Sequence, residues 1–338
     1  MRGPVRTLTI ILLLALAHAA AACSRKTEPA TSIKLARTIP LPDVEGRIDH
    51  MAFDKLRNRL HVAARDNNSL ETIDLEAGKV IHSERNLKLP QGVAVIAGAT
   101  PAQDRVVVSL GGEGNCWIGS AETLQRELGV EAGADPDNLR YHLDANLLYV
   151  AHDGGISAFN ANDWKKQGEF AMAGHPESFQ IETKGGRLYA NIPSAKQIGV
   201  FDRDTHAPIT HWSLQNVEGN YPMALDEGSR RIYVACRQPA RLMMIDTTNG
   251  SLVVGLECAG DADDLYFDNE RRRVYLSGGE GFLEVYQLKS ADEIHRTARI
   301  ATRAGARTCL YVAKQKKLYV AVPKNGAEGA EIRVFDVE

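Results

Sequence analysis

Seven times along this chain a basic or apolar residue is followed by an aliphatic one, then by Tyr, His or Val, then by an apolar or small residue. The copies are Arg59-Leu60-His61-Val62, Arg105-Val106-Val107-Val108, Leu147-Leu148-Tyr149-Val150, Arg187-Leu188-Tyr189-Ala190, Arg231-Ile232-Tyr233-Val234, Arg273-Val274-Tyr275-Leu276 and Lys317-Leu318-Tyr319-Val320. Measured between Leu60, Val106, Leu148, Leu188, Ile232, Val274 and Leu318, the spacings are 46, 42, 40, 44, 42 and 44 residues. A period in the low forties built of β-rich units predicts propeller blades. Each unit divides into four short strand signals bounded by Gly, Asp and Asn. The fifth shows the division: strands are predicted at Tyr221–Leu225, Arg231–Cys236, Arg241–Asp246 and Leu252–Leu256, with Thr247-Thr248-Asn249-Gly250 as a hairpin turn. Helical periodicity of useful length is absent from the repeats. The chain stops on a third strand, Glu331–Asp336, and the run Ile33–Leu41, whose Thr38-Ile39-Pro40-Leu41 resembles outer strands elsewhere, supplies the missing fourth. The prediction is all-β: a seven-bladed β-propeller with four-stranded antiparallel blades over residues 33–338, its ring closed by the N-terminal strand so that no sheet edge is left free.

Gly174-His175-Pro176-Glu177-Ser178, followed ten residues on by Leu188-Tyr189-Ala190-Asn191, resembles the YVTN-type β-propeller repeat. Related units are Gly46-Arg47-Ile48-Asp49-His50, Gly260-Asp261-Ala262-Asp263-Asp264 and Gly305-Ala306-Arg307-Thr308. The unit around Pro90-Gln91-Gly92 fits least well, and Asn115-Cys116-Trp117-Ile118 reads as a poor third strand. The resemblance implies a secreted or cell-envelope seven-bladed propeller. It implies no single activity, because function lives in sites rather than folds.

Residues 1–22 are read apart from the fold. Arg2 and Arg6 precede an apolar run, Leu8–Ala17, which is followed by small residues, the three-part form of a secretory signal peptide. The run is too short for a transmembrane helix of about 20 residues. Ala20-Ala21-Ala22-Cys23 resembles a bacterial lipobox, with Ala20 where Leu is usual. That resemblance implies lipidation at Cys23 and a periplasmic lipoprotein held at the membrane by its lipid anchor alone. Simple cleavage, giving a soluble exported protein, is the alternative. Residues 23–32, with Arg25, Lys26, Glu28 and Pro29, read as a flexible tether.

Charge narrows the partners. Lys and Arg number 40 against 43 Asp and Glu, so no basic excess exists to neutralise a phosphate backbone, and nucleic acid is excluded as a partner. Hydrophobic residues at 44% and charged ones at 25% are ordinary for a globular domain and exclude disordered and polytopic membrane chains.

Candidate chemistry follows from blade register. Each inner strand starts near the central channel, and the loop between second and third strands opens on the same face, so both sets line one funnel. Counting back from the repeat markers aligns Asp49, Asp137, Glu177, Tyr221, Asp263 and Arg307, and next to them His50, Asn138, Ser178, Pro222, Asp264 and Thr308. The loops add Arg65, Asp66, His152, Asp153, Arg237, Glu280 and Lys324, and His175 sits in the turn before Pro176. Carboxylate oxygens suit Ca²⁺ or Mg²⁺, and His beside Asp suits proton transfer, which makes His50 and His152 the candidate catalytic residues. The competing reading is a wet channel whose polar groups pair with one another. Asp261, Asp263 and Asp264 lack the remaining EF-hand spacing and any nonapeptide calcium repeat.

The expected function is a monomeric binding or scaffolding module that presents this funnel to a small polar ligand or an envelope protein. The alternative is a metal-dependent propeller enzyme, a lactonase-like hydrolase or lyase. Cys116, Cys236, Cys258 and Cys309 leave both a disulfide and buried free thiols open. No C-x-x-C, G-x-S-x-G, H-E-x-x-H or P-loop occurs, which disfavours thioredoxin-like, zinc, serine-hydrolase and nucleotide chemistry. Trp117, Trp164 and Trp212 stand at unrelated repeat positions, unlike the Trp-rich repeats of quinoprotein propellers.

Overall fold

The computed structural model describes residues 33–338, together with Met1 and Gly3, so the signal, the lipobox Cys23 and the tether lie outside the described residues. Seven four-stranded antiparallel sheets follow one another around a ring. In six of them the strands are consecutive, and in the seventh the order is Ile33–Leu41, Ala330–Val337, Lys317–Val322, Cys309–Val312. The N-terminal strand is therefore the outer strand of the last blade, paired from Ile33 with Val337 to Leu41 with Ala330. This is a seven-bladed β-propeller closed by its N-terminal strand. Among the described residues no helix is long and apolar enough to cross a membrane.

The inner strands are Met51–Asp54, Pro90–Ile96, Leu139–His142, Ser178–Ile181, Glu218–Asp226, Ala262–Asp268 and Cys309–Val312. Second and third strands are buried on both faces, which explains why they read as apolar runs rather than as alternating ones. The repeat tyrosine is the wedge between neighbouring blades. Tyr189 packs among Ile198 and Val200 of its own blade and Met223, Ile232 and Val234 of the next. Its hydroxyl donates to Glu182 at 2.6 Å, so the buried ring carries a satisfied polar tip. In the first blade His61 takes that slot against Thr72 Oγ1 at 3.1 Å. Burial holds its pKa down at about 4, so it is a neutral core residue.

Each inner-to-second hairpin is built alike where an Asp ends the inner strand. Asp54 accepts from the amides of Leu56 and Arg57, Asp226 from Ser229, and Asp268 from Glu270 and Arg271. Such Asx turns orient the chain reversal before the second strand begins. Blade 2 departs from this pattern. Its hairpin spans residues 97–104, with a 3-10 turn at Pro101–Gln103, where blade 1 needs only residues 55–58. Its weak third-strand signal nevertheless forms a full strand, Asn115–Ser120, because Cys116, Trp117 and Ile118 are almost completely buried between blades.

The fifth blade has the four predicted strands with longer ends: Glu218–Asp226, Arg231–Gln238, Ala240–Asp246 and Leu252–Glu257. Cys116, Cys236, Cys258 and Cys309 are all buried free thiols, which settles the open disulfide question. Burial pushes the thiols of Cys116, Cys236 and Cys258 up to about 12, far from the thiolate form. Titration with an aromatic disulfide reagent is expected to release little colour from these four in native protein and all four after unfolding. Rapid native reaction at any of them would show that the blade packing around it opens.

Candidate functional site

The segment that leads from an outer strand into the next inner strand carries the funnel chemistry. In blade 1 it places Arg47 and Asp49 at the mouth, and Asp49 is fully buried. Arg47 Nη2 lies 3.1 Å from Asp49 Oδ2 and 3.0 Å from Asp263 Oδ2, joining blade 1 to blade 6. Arg237 from blade 5 completes that side: its Nη2 donates to Asp263 at 2.8 Å while its guanidinium stacks 3.5 Å over the Tyr221 ring. Burial, only partly offset by Arg47 and Arg237, raises the Asp263 carboxyl to about 6. Arg65 reaches toward Asp49 at 3.8 Å and donates to Gln91 Oε1 at 3.1 Å, and Gln91 in turn donates to Asp135.

His50 occupies the centre. Its Nδ1 is 3.3 Å from Asp264, and its Nε2 is 3.8 Å from Asp49 and 3.9 Å from Asp137. Asp264 also accepts the amide of Cys309 at 3.0 Å, so one carboxylate ties blades 1, 6 and 7 together. Asn138 donates at 2.6 Å to the Glu177 carbonyl, which fixes its Nδ2, and that nitrogen lies 3.1 Å from His50 Nε2. The amide asks His50 for a lone pair while three carboxylates ask it for a proton. Charge–charge attraction at under 4 Å outweighs one neutral hydrogen bond in a low-dielectric site. Burial pulls the imidazole down, but Asp264, Asp49 and Asp137 together push it up to about 10.

The opposite wall, from blades 3 and 4, is acid-rich. Asp135, Asp137, Asp153 and Glu177 face one base, His175, whose Nδ1 is 3.0 Å from Asp153 Oδ1 and whose Nε2 is 3.7 Å from Asp137 Oδ2. Asp137, with Glu177 and Asp153, outweighs burial and raises His175 to about 9. Among the described residues no hydrogen bond or ion pair reaches the Glu177 carboxyl. Burial first, and then the Asp137 charge, lifts it to about 7. Donor atoms of Asp137, His175 and Glu177 lie within 4.8 Å of one another, as do those of Asp135, Asp153 and His175.

Asp49, His50, Arg65, Asp137, His175, Glu177, Arg237, Asp263 and Asp264 thus come together as one linked constellation. Arg307 stands at its edge, paired with Asp261 at 2.8 Å. His152 is held within its own hairpin, with Nδ1 2.9 Å from the Asp153 carbonyl and Nε2 2.9 Å from Ser157 Oγ. Asp261 and Asp263 share Arg237, at 3.5 and 2.8 Å, and pair in addition with Arg307 and Arg47 respectively, whereas Asp264 turns away to His50, so the three carboxylates do not converge on one site. Two members, Arg47 and Gln91, escape the register count. Arg47 sits two residues ahead of the aligned position, and the long blade 2 hairpin displaces Gln91 from its marker.

No protein-family model matches the chain, and no curated protein matches it. Among solved structures it is similar to a chain of the Kuenenia stuttgartiensis hydrazine synthase, with 15% identity and a TM-score of 0.70 over 84% of this chain and 93% of that one. It is similar also to a chain of a mitotic checkpoint complex, with 12% identity and a TM-score of 0.73 over 98% and 99% of the two chains. At such identities the likeness carries the propeller fold and nothing about activity.

Proposed function

We propose that this chain is an exported binding module, anchored through Cys23, that takes a small polar ligand with a positively charged group at the acidic wall of its funnel. The observation that supports this reading most directly is Glu177, a carboxyl without a partner where its neighbours are engaged. On the other side Arg47, Arg65 and Arg237 are matched by Asp49, Asp66 and Asp263, so that half is already neutralised. A ligand's ammonium would supply the counter-charge that blades 3 and 4 lack. Native mass spectrometry on full-length protein prepared without added metal or chelator is expected to find about one equivalent of a bound species, with Glu177→Gln weakening its retention about tenfold. Empty protein, combined with no thermal shift on adding choline, spermidine or simple divalent salts, would overturn the reading.

One observation favours a second, enzymatic reading: the convergence of Asp137, His175 and Glu177. Two carboxylates and an imidazole suit a first-row transition ion better than Ca²⁺ or Mg²⁺, and three protein ligands leave room for an activated water. Elemental analysis of the same preparation separates the readings, since a stoichiometric transition metal supports the second and an organic mass supports the first.

A further inference from the structure

Behind the charged mouth the central channel is of a different character. A cavity of about 590 Å³ runs from Asp264 and Ser178 to Lys55 and Lys314 at the hairpin face. Met51, Phe53, Met223 and Phe267 contribute to its largely apolar walls. Small ligands bind in such spaces, of about 300–1,000 Å³ with a few placed polar groups. One residue of each inner strand forms a ring two positions below His50. Three blades put alanines there, Ala52, Ala94 and Ala224, which open the space, three others supply Arg140, Gln180 and Tyr266, and the seventh supplies Leu310.

Arg140 is the unexplained group. A guanidinium has five N–H donors and is always charged. Here Nη1 donates to the Leu139 carbonyl at 2.8 Å and the Phe179 ring lies 5.5 Å away, and no carboxylate among the described residues is within 4.0 Å. Acids near this end of the channel are already engaged: Asp54 by Arg57, Asp226 by Arg272 and Asp268 by Arg271. At the mouth, Lys314 holds the Lys55 ammonium below the usual lysine range, as two like charges side by side do. The channel therefore has walls that are more apolar than polar, a cationic opening at Lys55 and Lys314, and one further cation inside, with the Asp264 carboxylate at its far end engaged by His50.

We propose that this channel binds an amphipathic organic monoanion, its carboxylate on Arg140 with the Tyr266 hydroxyl on the same ring, and its apolar body along the aliphatic and aromatic walls; Gln180 on that ring is held by its own bond from Nε2 to the Met223 carbonyl at 2.7 Å. The site is separate from the funnel, lies on the other side of the His50–Asp264 pair, and does not rest on the funnel reading.

Calorimetric titration of the full chain with decanoate, decanol and decyltrimethylammonium tests it. Decanoate is expected to bind one to one and more tightly than the cation. Arg140→Gln is expected to weaken decanoate about tenfold while changing decanol less than about twofold. Ala224→Phe, which fills the channel and leaves Arg140 in place, is expected to abolish both. The inference is overturned if decanoate does not bind, if the cation binds as well as the anion, or if Arg140→Gln leaves decanoate unchanged. The comparison of anion with cation needs only the wild-type protein, so a variant that fails to fold does not blunt the test.

Discussion

A chain that begins at Pro42, lacking the strand Ile33–Leu41, is expected to lose cooperative folding and to aggregate, whereas one that begins at Ile33 melts as a single monomeric species. The strand pairs with Ala330–Val337 along its length and buries Ile39 and Leu41 completely against blades 1 and 7. Burying two such side chains is worth about 3–6 kcal/mol in total. Loss of the strand also exposes the ladder of Ala330–Val337, an edge prone to pair with another chain. Size-exclusion chromatography and thermal melts of the two chains decide the matter. A monomeric peak and an unchanged melting temperature for the shorter chain would show that the ring does not depend on its closing strand.

The second large effect is expected at Asp264. Removing this carboxylate in Asp264→Ala leaves the Cys309 amide and the His50 imidazole without their shared acceptor inside the ring. Breaking a buried pair in this way costs about 3–5 kcal/mol. The pH dependence gives the more specific signature. His50 has a native pKa raised to about 10 from 6.5, so the native state holds a proton that the unfolded chain has released. Stability from this group is complete below about pH 6.5 and is lost as pH rises toward 10. His175, raised to about 9, adds a smaller loss of the same sign. In Asp264→Ala the loss between pH 7 and pH 10 is expected to shrink by the share of Asp264, while Asp49 and Asp137, which still face His50, and the His175 group keep part of it. Denaturant titrations across that range check it, and an unaltered alkaline decline in the variant would mean that the Asp264–His50 pair is not responsible.

The architecture was legible because each blade repeats one solution to one packing problem. The apolar second strand recurs in every blade, with the wedge tyrosine in five of the seven and His61 and Val107 in the other two, and its spacing alone counts the blades. The third strand of blade 2 was harder to read because Asn115-Cys116-Trp117-Ile118 makes its fit with one large indole rather than with several aliphatic residues. The funnel was partly legible. Register counting found Asp49, Asp137, Glu177 and Asp263 because blades 1, 3, 4 and 6 keep the same distance between marker and strand start. It missed Gln91, whose blade spends extra residues on a 3-10 turn, and it missed Arg47, which acts across the ring on Asp263, a pairing that no local pattern encodes. Arg140 carried one unread signal, a charged residue at an alternate position of a strand otherwise bounded by Leu139 and Tyr141. Its isolation from acids appears only once seven strands converge.

The closing strand also fixes a polarity for the whole disc. Ile33 pairs with Val337, and the Val337 amide donates to the carbonyl of Lys316, one residue beyond the short turn that carries Lys314. The polypeptide therefore enters and leaves the ring at one rim, beside the cationic opening of the channel, while the funnel points the opposite way. A domain fused directly at Ile33 or at Glu338 would therefore abut the channel opening and leave the mouth of the funnel clear.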